Sequence, residues 1–316
     1  METKIRIGIS SCLLGNKVRY DGSHKWDRYI TDTLGKYFEF IPVCPEAESG
    51  LGIPREAMRL VGDIQNPRLV TNRSGIDHTE LMIRWAGLRV KELEQEGLCG
   101  FIFKSDSPSS GMERVKVYNE KGMSLKKGVG IFARIFMDHF PLLPVEEEGR
   151  LHDPLLRENF IESLFVFKRW REMLDQKKRR GGLVDFHTRH KLMLMAHSPK
   201  HYQMMGKWVA QAKAVSLPEL FDRYQELLSE ALRQKPTAKK HTNVLLHLLG
   251  YFKNDLSPDE KQETIEIFEN YANGYLPLIV PVTLINHYVR KYGRDYLQDQ
   301  YYLKPHPLEL QLRNHV

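Results

Sequence analysis

Three short apolar runs constrain the first half of this chain: KIRIGIS at residues 4–10, EFIPV at 39–43 and GFIFK at 100–104. Around them the apolar spacing is helical, over residues 27–38, 77–95 and 128–140. Strands that alternate with helices predict an α/β domain on an open, mostly parallel sheet with flanking helices. Ligands of such sheets bind beyond the carboxyl ends of the strands. Three loops leave strand ends here: one opens with Ser11 and Cys12, one with Cys44, and the third reads SDSPSSGM, residues 105–112. They are expected to meet.

Beyond PLLPVEEEGRLHDP the strand signals stop. Ser216 with Glu219 and Ser257 with Glu260 match the capping box, and Pro258 stands at a first helical position. The remainder reads as an all-α domain ending in a strap, YYLKPHPLEL. A chain of 316 residues is long for one core, and the division is placed between residues 1–148 and 149–316. A cytoplasmic protein is expected, because no apolar run approaches the roughly 20 residues of a membrane span. The start, METKIRIGISS, lacks the parts of a signal peptide.

The net charge of +7 is unevenly placed: residues 151–250 carry 18 basic against 10 acidic side chains. A positive segment points to a polyanionic partner, nucleic acid foremost; solvated helix faces account for it equally well. Lys168, Arg169, Arg171, Lys177, Lys178, Arg179, Arg180, Arg189 and Lys191 form one basic group, Lys239 and Lys240 a second. Such cations neutralise phosphates and make binding salt-dependent. Trp170, Tyr202 and Trp208 either stack on an unpaired base or, as is commoner, fill helix cores. His187 and His190 have the spacing of a zinc pair, but no thiol or carboxylate cluster completes that site.

Three cysteines far apart make no disulfide framework. Buried thiols are the ordinary explanation, yet Cys12 and Cys44 each stand just past a strand, so both fall at one sheet edge. Thiols so placed suit a soft metal site: zinc, copper(I) or an iron–sulfur cluster. Glu46, two residues beyond Cys44, is positioned to act as a general base or acid, or else to cap a helix or pair with Arg55 or Arg59. Arg19, Tyr20, Asp21 and Gly22 are placed to shape a pocket by ion pairing and a turn, a role as readily structural as catalytic.

The stretches SCLLGNKVRYDG, PVCPEAESGLGIPR and KSDSPSSG, in this order and at strand ends, resemble the thiouracil desulfidase family. The second half, with the text from MERVKVYNEKG through PVEEEGRLHDP, resembles the form fused to an RNA-binding helical domain, which removes sulfur from 4-thiouridine in bacterial tRNA. The resemblance implies a 4Fe-4S cluster held by three cysteines, with one iron left open to the thiocarbonyl sulfur. It further implies attack by water, Glu46 as the acid–base group, and no net electron transfer. The implied partner is tRNA containing 4-thiouridine, with no membrane and no obligate protein partner. A base in folded RNA must first be turned out of its stack.

In one place the chain departs from the family. Desulfidases of free thiouracil read SPSCG where this chain reads SPSSG, so Ser110 stands at the third cysteine position. Cys99 is the remaining thiol, but it opens the strand GFIFK while Ser110 follows its end, and a strand of five residues spans roughly 17 Å. Ligand chemistry favours Cys99 and topology favours Ser110. Cys99 is placed first as the third ligand, with Ser110 as its competitor and a labile or absent cluster as the remaining outcome. Ser107 and Ser109 are expected to hydrogen-bond the substrate or a water, or the backbone of their own turn. Two other functions fit the same residues: a cluster-free RNA-binding protein, and a desulfidase of free thiouracil.

Overall fold

Ile5, Ile7 and Ile9 alternate with Arg6 and Gly8, and all three isoleucines are buried in a central strand. The computed structural model describes residues 4–315, with the side chain of Lys177 excepted. In chain order its strands are β1 (Ile5–Ser10), β2 (Phe38–Val43), β3 (Met58–Gly62), β4 (Pro67–Thr71), β5 (Phe101–Phe103), β6 (Val115–Tyr118), β7 (Ser124–Gly128) and β8 (Val145–Glu147). Helices α1 (Pro45–Glu48), α2 (Thr79–Gln95) and α3 (Ile131–His139) lie among them. One sheet has the order β2-β1-β5-β8 and is wholly parallel. This is the α/β architecture the alternation predicts.

Gly8 is set by its neighbour across the ladder. A Cβ at Gly8 would lie 2.2 Å from the Phe101 ring, so only glycine lets Phe101 lie flat over β1. Phe101, Phe103, Phe132 and Phe136 then form an aromatic core between the sheet and α3. Rings packed edge to face and offset add to the area they bury.

Two findings differ from expectation. The segment 27–38 forms no regular helix but a wide turn at Tyr29–Thr33 followed by a tight one at Leu34–Lys36. Three β-branched residues, Ile30, Thr31 and Thr33, and Gly35 weaken the helix there. The second difference is a further sheet, β4-β3-β6-β7, of mixed direction. Its strands MRLVG, PRLVT and VKVY are four or five residues long, with a single basic residue in each, a signal too short to stand out inside long loops. Leu60, Leu69, Val115 and Val117 fill its inner face.

The two units part between Asp153 and Pro154. The second is helical: α4 (Pro154–Lys177), α5 (Arg180–His197), α6 (Pro199–Ala210), α7 (Leu217–Leu232), α8 (Ala238–Leu249), α9 (Pro258–Ala272), α10 (Ile279–Lys291) and α11 (Asp295–Gln298). Ser257 and Glu260 close a full capping box, while Ser216 accepts the Glu219 N–H. The strap is anchored from inside. Arg313 donates to Glu162 at 3.0 Å, Glu158 at 3.2 Å and the Tyr302 carbonyl at 2.7 Å, and His197 bonds Glu162 at 2.8 Å. Burial by itself would raise the Glu162 carboxyl, but the His197 bond and the Arg313 guanidinium outweigh it and hold the group well below the carboxylate range. Among the described residues no helix is long and apolar enough to cross a membrane.

Candidate active site

β1 ends at Ser10, and the chain turns at once through Ser11–Leu14, which carries Cys12. Ser10 Oγ accepts the Lys104 N–H at 2.9 Å and so ties the end of β1 to the end of β5. β2 ends at Val43; Cys44 follows in extended backbone and α1 opens on Pro45, at a position whose N–H has no helical partner to lose. Cys44 N–H donates to Glu48 Oε1 at 2.7 Å, and its sulfur lies 3.7 Å from the Val18 carbonyl. The first turn of α1 carries Glu46. Arg55 donates to Glu46 Oε2 from Nε at 2.9 Å and also from Nη2, while Ser109 Oγ donates to Oε1 at 2.9 Å.

The third loop is built around its hydroxyls. Ser107 Oγ accepts the Ser110 N–H at 3.0 Å and lies 3.1 Å from Ser109 Oγ. Carbonyls of Pro108, Ser109 and Gly111 accept the N–H groups of Ile131, Ala133 and Gly130, so the loop satisfies donors that the start of α3 would otherwise leave unpaired. Gly130 permits this contact: a Cβ there would stand 2.5 Å from the Ser109 carbonyl carbon. Acidic residues at the end of β8 hold the other side. Glu148 accepts from Ser105 N–H at 2.7 Å, Ser105 Oγ at 2.8 Å and Lys104 Nζ at 2.5 Å, and Glu147 accepts the Met112 N–H at 2.8 Å.

Cys12, Cys44, Glu46, Ser107, Ser109 and Ser110 all line one cavity of about 450 Å³ at the carboxyl edge of the parallel sheet, with Arg19, Arg55 and Lys104 around them. The expected meeting of three loops is what the structure shows. Cys99 does not join them. Its N–H donates to the Arg6 carbonyl at 2.8 Å, at the opposite end of β1, and the four residues from Arg6 to Ser10 alone span roughly 13 Å. The preference for Cys99 as third ligand is corrected: strand direction, not ligand chemistry, decides which side chain reaches the cavity. Ser110 is the residue that does.

The electrostatics suit a cation that displaces protons. Burial pushes the Cys12 thiol up to about 11, against the pull of Lys104, with the nearby Cys44 adding to the rise. Burial likewise raises Cys44. Without a metal both are thiols at neutral pH, and a bound metal makes them thiolates. The donor set therefore offers two sulfurs and one serine oxygen. Among the described residues no three His, Cys, Asp or Glu side chains converge as a metal cage. Cys12, Cys44 and Ser110 are the residues of this cavity that would hold a soft metal group, with the Lys104 and Arg19 cations close to Cys12.

Lys104, Glu147 and Glu148 were not among the candidates read from the sequence. The signal was present: VEEEG follows an apolar stretch, and its carboxylates fall at the end of a fourth parallel strand. Arg55 and Glu46 do pair, as the plainer reading of Glu46 has it, and Glu46 lines the cavity as well. Arg59 takes no part.

The basic residues of the helical unit divide into two kinds. Arg169 donates to the Pro305 carbonyl and lies 3.9 Å from the Tyr301 ring, Arg180 donates to the Ala212 and Val215 carbonyls, and Lys240 to those of His197 and Lys235. Arg189 pairs with Asp185 and Asp299, Lys168 with Glu172, and Lys191 lies over the Tyr296 ring. These hold the helices together. Arg171 is half-buried, whereas Lys178, Arg179 and Lys239 are exposed; the Lys177 side chain lies outside the described residues. Trp170 is buried and stacked on Tyr224, so the core reading holds for it; Trp208 is half-buried and donates to the Leu220 carbonyl. His187 Nδ1 bonds the Tyr224 hydroxyl and His190 Nδ1 the Phe186 carbonyl, and among the described residues no third His, Cys, Asp or Glu joins them as a metal ligand.

The strand-end loops of the parallel sheet bring two thiols, a carboxylate and three serines to one cavity, and residues 7–148, which hold that cavity, match the 2-thiouracil desulfurase family. Residues 191–307 match a family described as a protein of unknown function, DUF1722. Among curated relatives, the uncharacterized protein YbgA of Escherichia coli (strain K12) is 30% identical over 158 residues, 50% of this chain and 94% of YbgA. The uncharacterized protein YbbK of Bacillus subtilis (strain 168) is 33% identical over 109 residues, 33% of this chain and 71% of YbbK. A solved structure titled [4Fe-4S]-dependent thiouracil desulfidase TudS is 30% identical, covers 48% of this chain and 95% of its own, and superposes with a TM-score of 0.39. The first unit is a thiouracil desulfidase-like domain, and the chain is a family relative of YbgA over half of its length and of YbbK over a third.

Proposed function

We propose that this protein removes sulfur from 4-thiouridine in tRNA, giving uridine by hydrolysis without net redox change. The observation that carries the reading is the convergence of Cys12, Cys44 and Glu46 on one cavity. Cys12 and Cys44, with Ser110 as oxygen donor, would hold a 4Fe-4S cluster. When bound, that group supplies a Lewis-acidic iron that polarises a thiocarbonyl.

The chain's own residues do the rest. Arg55 occupies Glu46 Oε2 and Ser109 occupies one lone pair of Oε1, which leaves Oε1 able to take a proton from water. Water adds at the ring carbon as its first proton passes to Glu46; the carbon–sulfur bond then breaks as the new hydroxyl becomes the carbonyl, and the departing sulfide takes both the hydroxyl proton and the proton held on Glu46. The sum is thiocarbonyl plus water to carbonyl plus hydrogen sulfide, balanced in atoms and electrons. Ser107, bonded to Ser109 and to the Ser110 N–H, keeps both residues in register. The exposed cations Lys178, Arg179 and Lys239 supply contacts to RNA phosphates, offsetting the few kcal/mol needed to turn a base out of its stack.

The test is anaerobic reconstitution of the full chain with iron and sulfide, followed by the near-UV absorbance of thiolated tRNA. Loss of that absorbance with about four irons per chain supports the reading, and iron-free protein that binds tRNA without changing it identifies an RNA-binding scaffold instead. A second reading, desulfidation of free thiouracil, draws on the cavity's being complete within the first unit. Comparing kcat/KM for 2-thiouracil and for thiolated tRNA on the full chain separates the two.

A further inference from the structure

The second sheet carries an arrangement that the proposed chemistry leaves unused. β3 and β6 run parallel with Leu60 beside Val117, and β6 and β7 run antiparallel with Lys116 opposite Lys126. Leu60 and Val117 are buried, so Arg59 and Lys116, one step earlier on their strands, face the other way, into solvent. The register thus lines up Arg59, Lys116 and Lys126 in one row across three neighbouring strands, about 4.8 Å from strand to strand. Like charges directly opposite each other weaken a strand pair. Among the described residues no carboxylate pairs with any of the three, and Arg59 instead lies 5.3 Å from the Tyr118 ring.

Lysine on an edge strand guards against unwanted strand addition, which accounts for Lys126 on β7. It does not account for Arg59 or Lys116, which stand on the two inner strands. The three cations line a groove of about 550 Å³ whose lining includes a single carboxylate, Asp106. Met58, Asp106 and Pro108 line both this groove and the reaction cavity. A polymer with one base in the cavity would lay its neighbouring phosphates along the row.

We propose that the outer face of the second sheet is a nucleic-acid track: Arg59, Lys116 and Lys126 bind the RNA phosphates flanking the nucleotide whose base enters the cavity. The proposal rests on the reading of thiolated RNA as substrate and deepens it. The desulfidase-like unit itself distinguishes a nucleotide in a polymer, which carries flanking phosphates, from a free base, which carries none.

The experiment uses full-chain protein and the double variant Lys116→Gln/Lys126→Gln. Affinity for thiolated tRNA is measured by fluorescence anisotropy at several salt concentrations, beside turnover of tRNA and of 4-thiouridine nucleoside. Each lost contact to single-stranded phosphate lowers the salt slope by about 0.7, so the double variant is expected to lose about 1.4 from the slope and on the order of ten-fold in affinity. Nucleoside turnover and thermal midpoint stay at the parent values. Unchanged tRNA affinity and slope would overturn the track even where tRNA is still desulfurated. A parent protein that turns over neither substrate overturns the desulfidase reading, and the binding arm then decides the track by itself. Should the double variant fail to fold, Arg59→Gln is measured in its place, with an expected slope loss of about 0.7 and with no loss overturning the proposal.

Discussion

Ser110 lines the cavity beside Cys12 and Cys44, at the position where the resemblance to the desulfidases leads one to expect a third cysteine. Ser110→Cys is expected to raise retained iron and to slow its loss to chelators, with Cys12→Ala and Cys44→Ala abolishing iron loading. Cys99→Ala should leave iron content unchanged and cost about 1 kcal/mol of stability, the usual scale for a conservative buried change. Iron lost with Cys99 but kept without Ser110 would reverse the assignment. Glu46 carries the proton in the proposed chemistry. For Glu46→Gln a fall in kcat of about 10²- to 10⁴-fold is expected with iron content intact, and a variant with parental kcat would remove Glu46 from that role.

Elements act here by contact more than by propensity. Because α3 starts directly against the Ser109 and Ser110 backbone, Gly130→Ala must push the loop or the helix aside, at about 1–3 kcal/mol. A parental thermal midpoint and iron content would show that the contact is slack. In the helical unit the cations divide into holders and exposed groups, so Arg180→Ala should lower the thermal midpoint, whereas Lys239→Ala should weaken tRNA binding only. Burial foremost holds both His187 and His241 down to about 4, against about 6.5 in an unfolded chain. Between those values the unfolded chain takes up protons that the folded helices refuse. Stability from these rings is therefore complete above about pH 6.5 and is lost as pH falls toward 4. Thermal unfolding at pH 7 and pH 5 checks this, and a midpoint no lower at pH 5 would contradict it.

At the scale of the whole molecule, positive charge read as one basic domain turns out to have two settings. The surplus falls on residues 151–250, yet much of it is spent on carbonyls and carboxylates inside the helical unit. Some of the cations best placed for a phosphate sit on the second sheet of the other unit, whose overall composition is nearly neutral. Net charge per segment reports the long-range field that steers a polyanion; it does not report which cations lack partners. Reversing charge at Lys178, Arg179 and Lys239 together should weaken tRNA binding and flatten its salt dependence by about 2, and an unchanged slope would deny the helical unit its part in RNA binding.

Some of this was determined by local pattern. Strand-to-helix alternation placed Cys12, Cys44 and the SDSPSSGM loop at one sheet edge, because a parallel sheet puts every strand-end loop on the same side, and the Ser257 capping box was readable from four residues. Other features needed the fold. Whether Cys99 or Ser110 faces the cavity depends on which end of β5 each occupies and on the direction of β1 beside it. The holding of Lys104 and Ser105 by Glu148 joins residues more than forty apart. The row of Arg59, Lys116 and Lys126 exists only through strand register, since a slip of one residue would turn a strand's side chains to the opposite face. Periodicity along the chain is a local property that sequence states directly; pairing between distant segments is settled by packing, and only the tertiary structure carries it.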